Sequence, residues 1–455
     1  MLNFLRKGRP HELLIRIRSS FWFVPALIVI FAILLAFSLI ELDQIYDDRL
    51  LARWPRLLAN EAEGARGVLS AIAGSMATVA GVVFSITIVA LSLTSSQYTS
   101  RVLRNFMRDR ANQVVLGVFV GVWIYCLVVM RTISDDDEWK FVPSLAVLTA
   151  VILAIIASGF LIFFIHHISS TIQASEITAS ITRDTLRAVD RLFPDEIRNG
   201  SEMPEAHELQ AGQRWYPILA DAMGYIQGIN AGSVLAFACE RNTVVRMESK
   251  VGEFIAPGRP FASVAMEHPP DASTCRDLNR VVAVGIYRTI EQDPAFGIRQ
   301  LVDIALKALS PSINDTTTAV SCIEHIAVIL TRCAQRSMVS LRSYEGDTLR
   351  VIARRPDFAE LVSLSFSQIL ESAEGNTEVL LRMLLALEQI AYGTCARQRL
   401  ATLRLHVRQI EQAALRGLKA DEALQRIRDS VKRTDAVLDL SESTKMLDCA
   451  PVSRP

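Results

Sequence analysis

Apolar residues in this 455-residue chain collect in long uninterrupted runs over its first third and in short periodic patterns after that. The runs 21–40, 68–93, 114–130 and 141–165 contain no Asp, Glu, Lys or Arg. A helix needs ~20 mostly apolar residues to cross the ~30 Å hydrocarbon core of a bilayer, so these four runs predict transmembrane helices. The first follows a basic start (Arg6, Lys7, Arg9, Arg16, Arg18), as the apolar stretch of a secretory leader does. It is too long for such a leader, and Ser38-Leu39-Ile40-Glu41-Leu42 offers no small-x-small cleavage site, so it reads as a retained anchor.

The second run carries a pattern of its own. Seven residues make nearly two helical turns, so Gly67, Ala71, Gly74, Thr78, Gly81, Ser85 and Ser92 share one stripe. Every member is small or weakly polar, while Val82, Phe84, Ile86 and Leu91 point elsewhere. Two readings fit: a close helix–helix contact, which small residues permit, or a pore lined by hydroxyls around a symmetry axis. Gly117-x-x-x-Gly121 in the third run is another close-contact pattern. Ion-coupled transporters usually need a buried titratable group, and the absence of charge in these runs disfavours that class. His166 and His167, at the inner end of the fourth run, read as interfacial anchors.

Beyond residue 168 the periods shorten. The hydroxyl-rich stretch 169–185 continues the fourth helix, and 195–213, polar with Gly200 and Pro204, reads as a linker, so 169–213 is an extension and linker. Residues 214–290 predict a β-rich module, a small barrel or sandwich. In it Ser233-Val-Leu-Ala-Phe-Ala and Thr243-Val-Val-Arg-Met alternate, and Ala256-Pro257-Gly258 marks a turn. Within 291–356, residues 296–309 form an amphipathic helix with Ile298, Leu301, Val302, Ala305 and Leu309 on one face. Arg299, Asp303 and Lys307 line the other face. Ser310-Pro311 breaks this helix, and Asp315 or Thr316 caps a second one reaching about Cys333. Residues 339–355 predict a hairpin turning at Gly346-Asp347, and 357–455 a bundle of three or four helices with a tail. Arg397, Arg399, Arg404 and Arg408 alternate with acids on its solvated face. The fold class is an α-helical membrane domain at 21–168, after a basic tail at 1–20, followed by a cytoplasmic α+β domain.

Charge fixes an orientation. Lys and Arg together number 48, as do Asp and Glu, so no global field draws nucleic acid, and none is expected as a partner. The basic tail and Arg101, Arg104, Arg108 and Arg110 flank the first two runs, while Asp135-Asp136-Asp137-Glu138 follows the third. The first loop is mixed, with Arg49, Arg53, Arg56 and Arg66 beside Asp43, Asp47 and Asp48. The best fit places both termini in the cytoplasm of a bacterial inner-membrane protein. The seven cysteines include no C-x-x-C pair and read as buried small hydrophobes. No G-x-S-x-G, P-loop, H-E-x-x-H or G-x-G-x-x-G appears, and His207, His268, His325 and His406 lack metal-ligand spacing. Neither a catalytic residue nor a cofactor is therefore expected.

Candidate chemistry lies in the segment Asp293-Pro-Ala-Phe-Gly-Ile-Arg-Gln-Leu-Val-Asp-Ile-Ala305 with Ala308-Leu-Ser-Pro-Ser-Ile-Asn-Asp315. Asp293, Asp303, Asn314 and Asp315, in a candidate ligand loop that also holds Ser310, offer oxygen ligands to a cation, or the helix N-terminus after Asp315 offers an anion site. The plainer alternative is that Asp315 caps, Ser310 and Asn314 bond locally, and Asp303 pairs with Arg299 or Lys307. This segment, together with Phe84-Ser-Ile-Thr-Ile-Val-Ala-Leu-Ser-Leu-Thr-Ser-Ser-Gln97, Arg101-Val-Leu-Arg-Asn-Phe106 and the chain on to Gln113, resembles the bacterial membrane-protein family called domain of unknown function 2254. That family usually has glycine where this chain has Ser312 and proline where it has Thr316. The resemblance covers most of the chain and implies a fold family and a membrane location, with no activity attached.

Two functions are expected. One is an oligomeric channel or passive conduit in the lipid bilayer, a homo-oligomer lined by Gly74, Thr78, Gly81, Ser85 and Ser92 and regulated by the cytoplasmic domain. The other is a membrane-anchored sensor or scaffold whose cytoplasmic domain binds a ligand or protein partner.

Overall fold

The computed structural model describes residues 22–51, 62–97, 109–136, 139–171, 173–193, 214–338 and 341–448. The basic tail 1–20, Arg53, Arg56, Arg101, Arg104, Arg108, Asp137, Glu138 and the linker 195–213 lie outside these residues. The chain divides into two compact units, 1–176 and 177–455.

In the first unit, long apolar runs form long helices: α1 (Phe23–Leu51), α2 (Ala62–Gln97), α3 (Arg110–Thr132) and α4 (Ser144–Thr171). A two-stranded hairpin, β1 (Ser134–Asp136) and β2 (Trp139–Phe141), joins α3 to α4. Helix α3 packs against the other three and is the most buried of them. Val115, Phe119, Val122, Cys126 and Val129 of α3 meet Ala32 and Ala36 of α1, Leu69, Ala73 and Val83 of α2, and Ala150 and Ala157 of α4 in one core. Outward positions are apolar as well: Phe31, Leu34, Ile155 and Ile162 are all at least 60% exposed. A helix apolar all round, with large side chains facing outward, suits a lipid solvent.

Next comes α5 (Ala174–Leu192), whose residues from Ile177 on belong to the second unit. The fourth helix does not continue through Thr185 as expected: α4 ends at Thr171. The amides of Gln173 and Glu176 donate three residues back, to Ser170 (3.2 Å) and Gln173 (3.1 Å), breaking the four-residue ladder of an α-helix.

The following strands are β3 (Arg214–Leu219), β4 (Gly224–Ile229), β5 (Val244–Met247), β6 (Phe254–Ile255), β7 (Pro260–Met266) and β8 (Val282–Gly285). Helices α6 (Ala231–Glu240) and α7 (Ala272–Arg280) interrupt them. The hairpin β9 (Leu341–Glu345) and β10 (Thr348–Ala353) turns at Gly346, whose φ of +59° suits glycine. Of the expected barrel or sandwich, the barrel does not close among the described residues. One open sheet runs β3-β7-β5-β10-β9 and a second β6-β4-β8. The late hairpin extends the first sheet, with β10 parallel to β5 (Val351 opposite Val245), instead of letting the earlier strands close on themselves.

Ser233–Ala238, expected as a strand, lies in helix α6. The Asn230 side chain caps it by accepting from Ser233 N at 3.0 Å, and Val234, Phe237 and Ala238 bury one face. Ile218, Val245, Met247, Phe261 and Val264 complete that core.

Six helices follow: α8 (Pro294–Ala308), α9 (Thr316–Ala334), α10 (Phe358–Ser372), α11 (Thr377–Ala391), α12 (Arg397–Gly417) and α13 (Asp421–Asp448). The expected face Ile298, Leu301, Val302 and Ala305 of α8 is buried. Helix α8 packs against α9, where Ile323 and Ile326 are buried, and α9 also meets α11.

Candidate functional site

The two small-residue patterns of the first unit have different fates. On α3, Gly117 and Gly121 are buried against α1. A Cβ on Gly117 would stand 2.7 Å from Ile28 Cδ1 and 3.0 Å from the Pro25 backbone, and one on Gly121 would stand 3.3 Å from Ile28 Cγ2. This is a close helix–helix contact within one chain.

On α2 the opposite holds. Gly67, Ala71, Gly74, Thr78, Gly81, Ser85 and Ser92 are all exposed, and a Cβ on Gly67, Gly74 or Gly81 would meet nothing within 4 Å. The helix buries another face, including Ala65, Leu69, Ala73, Met76 and Val83. Hydroxyls on or beside the stripe return to their own helix: Thr78 donates to Gly74 O (2.9 Å) and Ser75 to Ala71 O (2.8 Å). Each donor is thus satisfied locally, and the oxygen lone pairs remain at the surface. Among the described residues, packing inside the chain does not account for the stripe.

Polar groups sit at both ends of this helical unit. Asp43, buried near the end of α1, accepts from Leu145 N (3.0 Å) and Ala146 N (3.1 Å), capping the first turn of α4 from another helix. Tyr125 of α3 donates to Ala146 O at 2.8 Å, and Arg66 donates to Ile133 O at 2.7 Å. At the other end Asp109 caps α3, accepting from Ala111 N at 2.9 Å, and lies 2.5 Å from His167 Nε2. His167, expected as an interfacial anchor, thus also ties α4 to the start of α3. The sequence reading missed Asp43 because it stands in a mixed charged connector, where a buried cap has no local signal.

In the second unit the five candidate loop residues do not converge. Asp293 and Asp315 cap successive helices and lie at opposite ends of α8, whose 15 residues span ~22 Å. Asp293 accepts from Phe296 N (3.1 Å) and forms an ion pair with Arg288 (2.7 Å), with only 3% of its side chain exposed. Burial raises its carboxyl above the ordinary range even with Arg288 beside it. Asp303 pairs with Arg299 at 2.8 Å. The Ser310 hydroxyl donates to Lys307 O (2.6 Å), and Asn314 N donates to Ser310 O (2.9 Å). Asn314 takes a left-handed φ of +48°, which asparagine tolerates. Asp315 accepts from Thr318 N (3.0 Å) and Thr318 Oγ1 (2.6 Å), and these hydrogen bonds lower its pKa. Among the described residues no group of three His, Cys, Asp or Glu side chains could hold a metal ion.

This geometry makes the segment a set of packing seats. Gly252, on a turn with φ of +89°, leaves the space filled by the Asp293 carboxylate and Arg288. Gly297 leaves the space filled by Thr185 of α5. The Thr316 hydroxyl accepts from Asn376 Nδ2 at 3.0 Å, a contact proline could not make. Neither glycine seat was foreseen, since each depends on a partner more than 40 residues away in the chain.

An uncharacterized protein of Mycobacterium tuberculosis (strain CDC 1551 / Oshkosh) is 32% identical to this chain over 368 residues, covering 79% of the chain and 70% of the relative. An uncharacterized protein of Mycobacterium bovis (strain ATCC BAA-935 / AF2122/97) is 31% identical over the same coverage. No solved structure matches. A family model described as "Predicted membrane protein (DUF2254)" matches residues 18–389. With that match spanning most of its length, including the apolar helices and the segment from Asp293 to Asp315, the chain belongs to the DUF2254 family of predicted membrane proteins.

Proposed function

We propose that the protein is an oligomeric channel or passive conduit of the bacterial inner membrane. In this reading α1 to α4 are its four spans, both termini are cytoplasmic, and residues 177–455 form a regulatory domain. One observation carries the proposal: the α2 stripe is exposed along its length, with open space above its glycines. Within lipid, a groove of backbone and hydroxyls gains most against a neighbouring protein helix or a hydrated lumen. A homo-oligomer supplies both around a symmetry axis.

Helix α9 is also long and apolar enough to cross a membrane. It carries Glu324, His325 and Arg332 and packs with α8 and α11, which favours a domain helix. No catalytic role is assigned to any residue.

A second reading has its own observation. Met223, Phe254, Ile286 and Tyr287 are each more than half exposed near one end of the β6-β4-β8 sheet, a surface suited to a sensor or scaffold that binds a partner. Ion flux through purified protein in liposomes separates the two. The channel reading expects flux in the wild type and its loss in an assembled Ser85→Leu variant. Equal flux from both proteins contradicts the assigned lining.

A further inference from the structure

Among the described residues, the two sheets of the second unit end in four edge strands, β3, β9, β6 and β8. Three of these carry features that discourage pairing with another chain. On β3, Pro217 has no amide proton to donate to a further strand. On β9, Arg342 and Glu345 put charge along the edge. Strand β6 has only two residues. Strand β8 has no such guard. It pairs with β4 alone among the described residues, and 281–287 contains neither a charge nor a proline. Ala283 is exposed, as are Ile286 at 75% and Tyr287 at 55%, so this edge is open at the surface. An exposed, uncharged edge is a template for another strand.

The exposed residues sit on a fixed frame. Gln227 Nε2 donates to Tyr287 O at 2.7 Å, and Ile229 N donates to Gln292 Oε1 at 3.1 Å, tying both ends of 287–292 back to β4. Asp293 N donates to Ile290 O at 3.0 Å, and the buried Asp293 carboxylate holds Arg288 at 2.7 Å. Met223 and Phe254 add apolar surface at the same end of the sheet, where Tyr225 lies opposite both Phe254 and Gly285. A partner covering this surface orders little that is free, which keeps the entropic cost of binding small.

We infer that β8 pairs antiparallel with β8 of a second copy of this chain, joining two three-stranded sheets into one. A second copy fits because the edge offers no charge for a charged partner to meet. An antiparallel edge is also complementary to itself about a two-fold axis. The register that matches 281–287 with itself places Val284 on the axis and sets Ile286 of each copy opposite Val282 of the other. The inference names the occupant of the apolar surface on which the partner-binding reading rests, and it stands whether or not the first unit conducts.

Photocrosslinking of the full-length protein in native membranes tests it. With p-benzoylphenylalanine in place of Tyr287, irradiation should give an adduct of doubled chain mass whose crosslinked peptide maps to 280–288 of the second copy. Ala283→Lys and Ile286→Lys change exposed positions and should keep the wild-type melting temperature. Each should lower the adduct yield about tenfold, because it brings like charges together across the pair. Undiminished adduct in both lysine variants would show two surfaces touching without edge pairing and would overturn the inference. An adduct to a different protein would refute self-pairing while leaving the partner-binding reading intact. An adduct to lipid alone, or none at all, would refute both.

Discussion

Glycines 81 and 117 differ in what surrounds them, although each lies in the middle of an apolar helix. A side chain at 117 must displace Ile28 or the Pro25 backbone, and overpacking of this kind costs about 1–3 kcal/mol. Gly117→Val should therefore lower the melting temperature of the protein in detergent. Gly81→Ala meets open space and replaces a poor helix former, so it should leave that temperature equal or raise it. Equal losses at both positions would contradict the contact assignment.

The histidines make a second residue-scale prediction. Burial lowers the pKa of His325 and of His406, with Glu324 partly opposing it at His325. A lowered folded-state pKa means the unfolded chain binds the proton more readily. The stability these groups contribute is therefore present above about pH 6.5 and lost as pH falls below it. Melting temperature should fall between pH 7.5 and 5.5, and His406→Gln should flatten that slope; an unchanged slope would refute the assignment.

At the scale of elements, length and periodicity in the sequence were informative wherever an element's signal was local. The four apolar runs, the amphipathic face of α8, the Asp315 cap and the hairpin at Gly346 could all be read directly. The strand expected at Ser233–Ala238 shows the limit, because six alternating residues fit a strand or one buried face of a short helix. The deciding signal was Asn230, a capping residue just upstream. The cap on the start of α4 was not legible, since it comes from Asp43 of another helix, far away in sequence. The Asp43 cap makes a direct prediction. Asp43→Ala leaves the amides of Leu145 and Ala146 without that acceptor, at a cost of about 1–2 kcal/mol. Faster exchange confined to the first turn of α4 would report the loss, and unchanged exchange there would argue against it.

For the whole molecule, the candidate loop and the membrane stripe exchange their expected importance. The loop's polar residues are consumed by caps, two ion pairs and packing seats, which suits a segment that holds the second unit together. The stripe, in contrast, is exposed along its length among the described residues, and this is what the conduit reading rests on. Single cysteines placed along α2 in a cysteine-free background, probed in intact membranes with a membrane-impermeant thiol reagent, test that claim most directly. The account predicts labelling at 74, 78, 81 and 85 and none at 84, 86 and 91, a periodicity of one helical face. Labelling that ignores the stripe, or fails at all four stripe positions, would contradict a water-filled path along this helix.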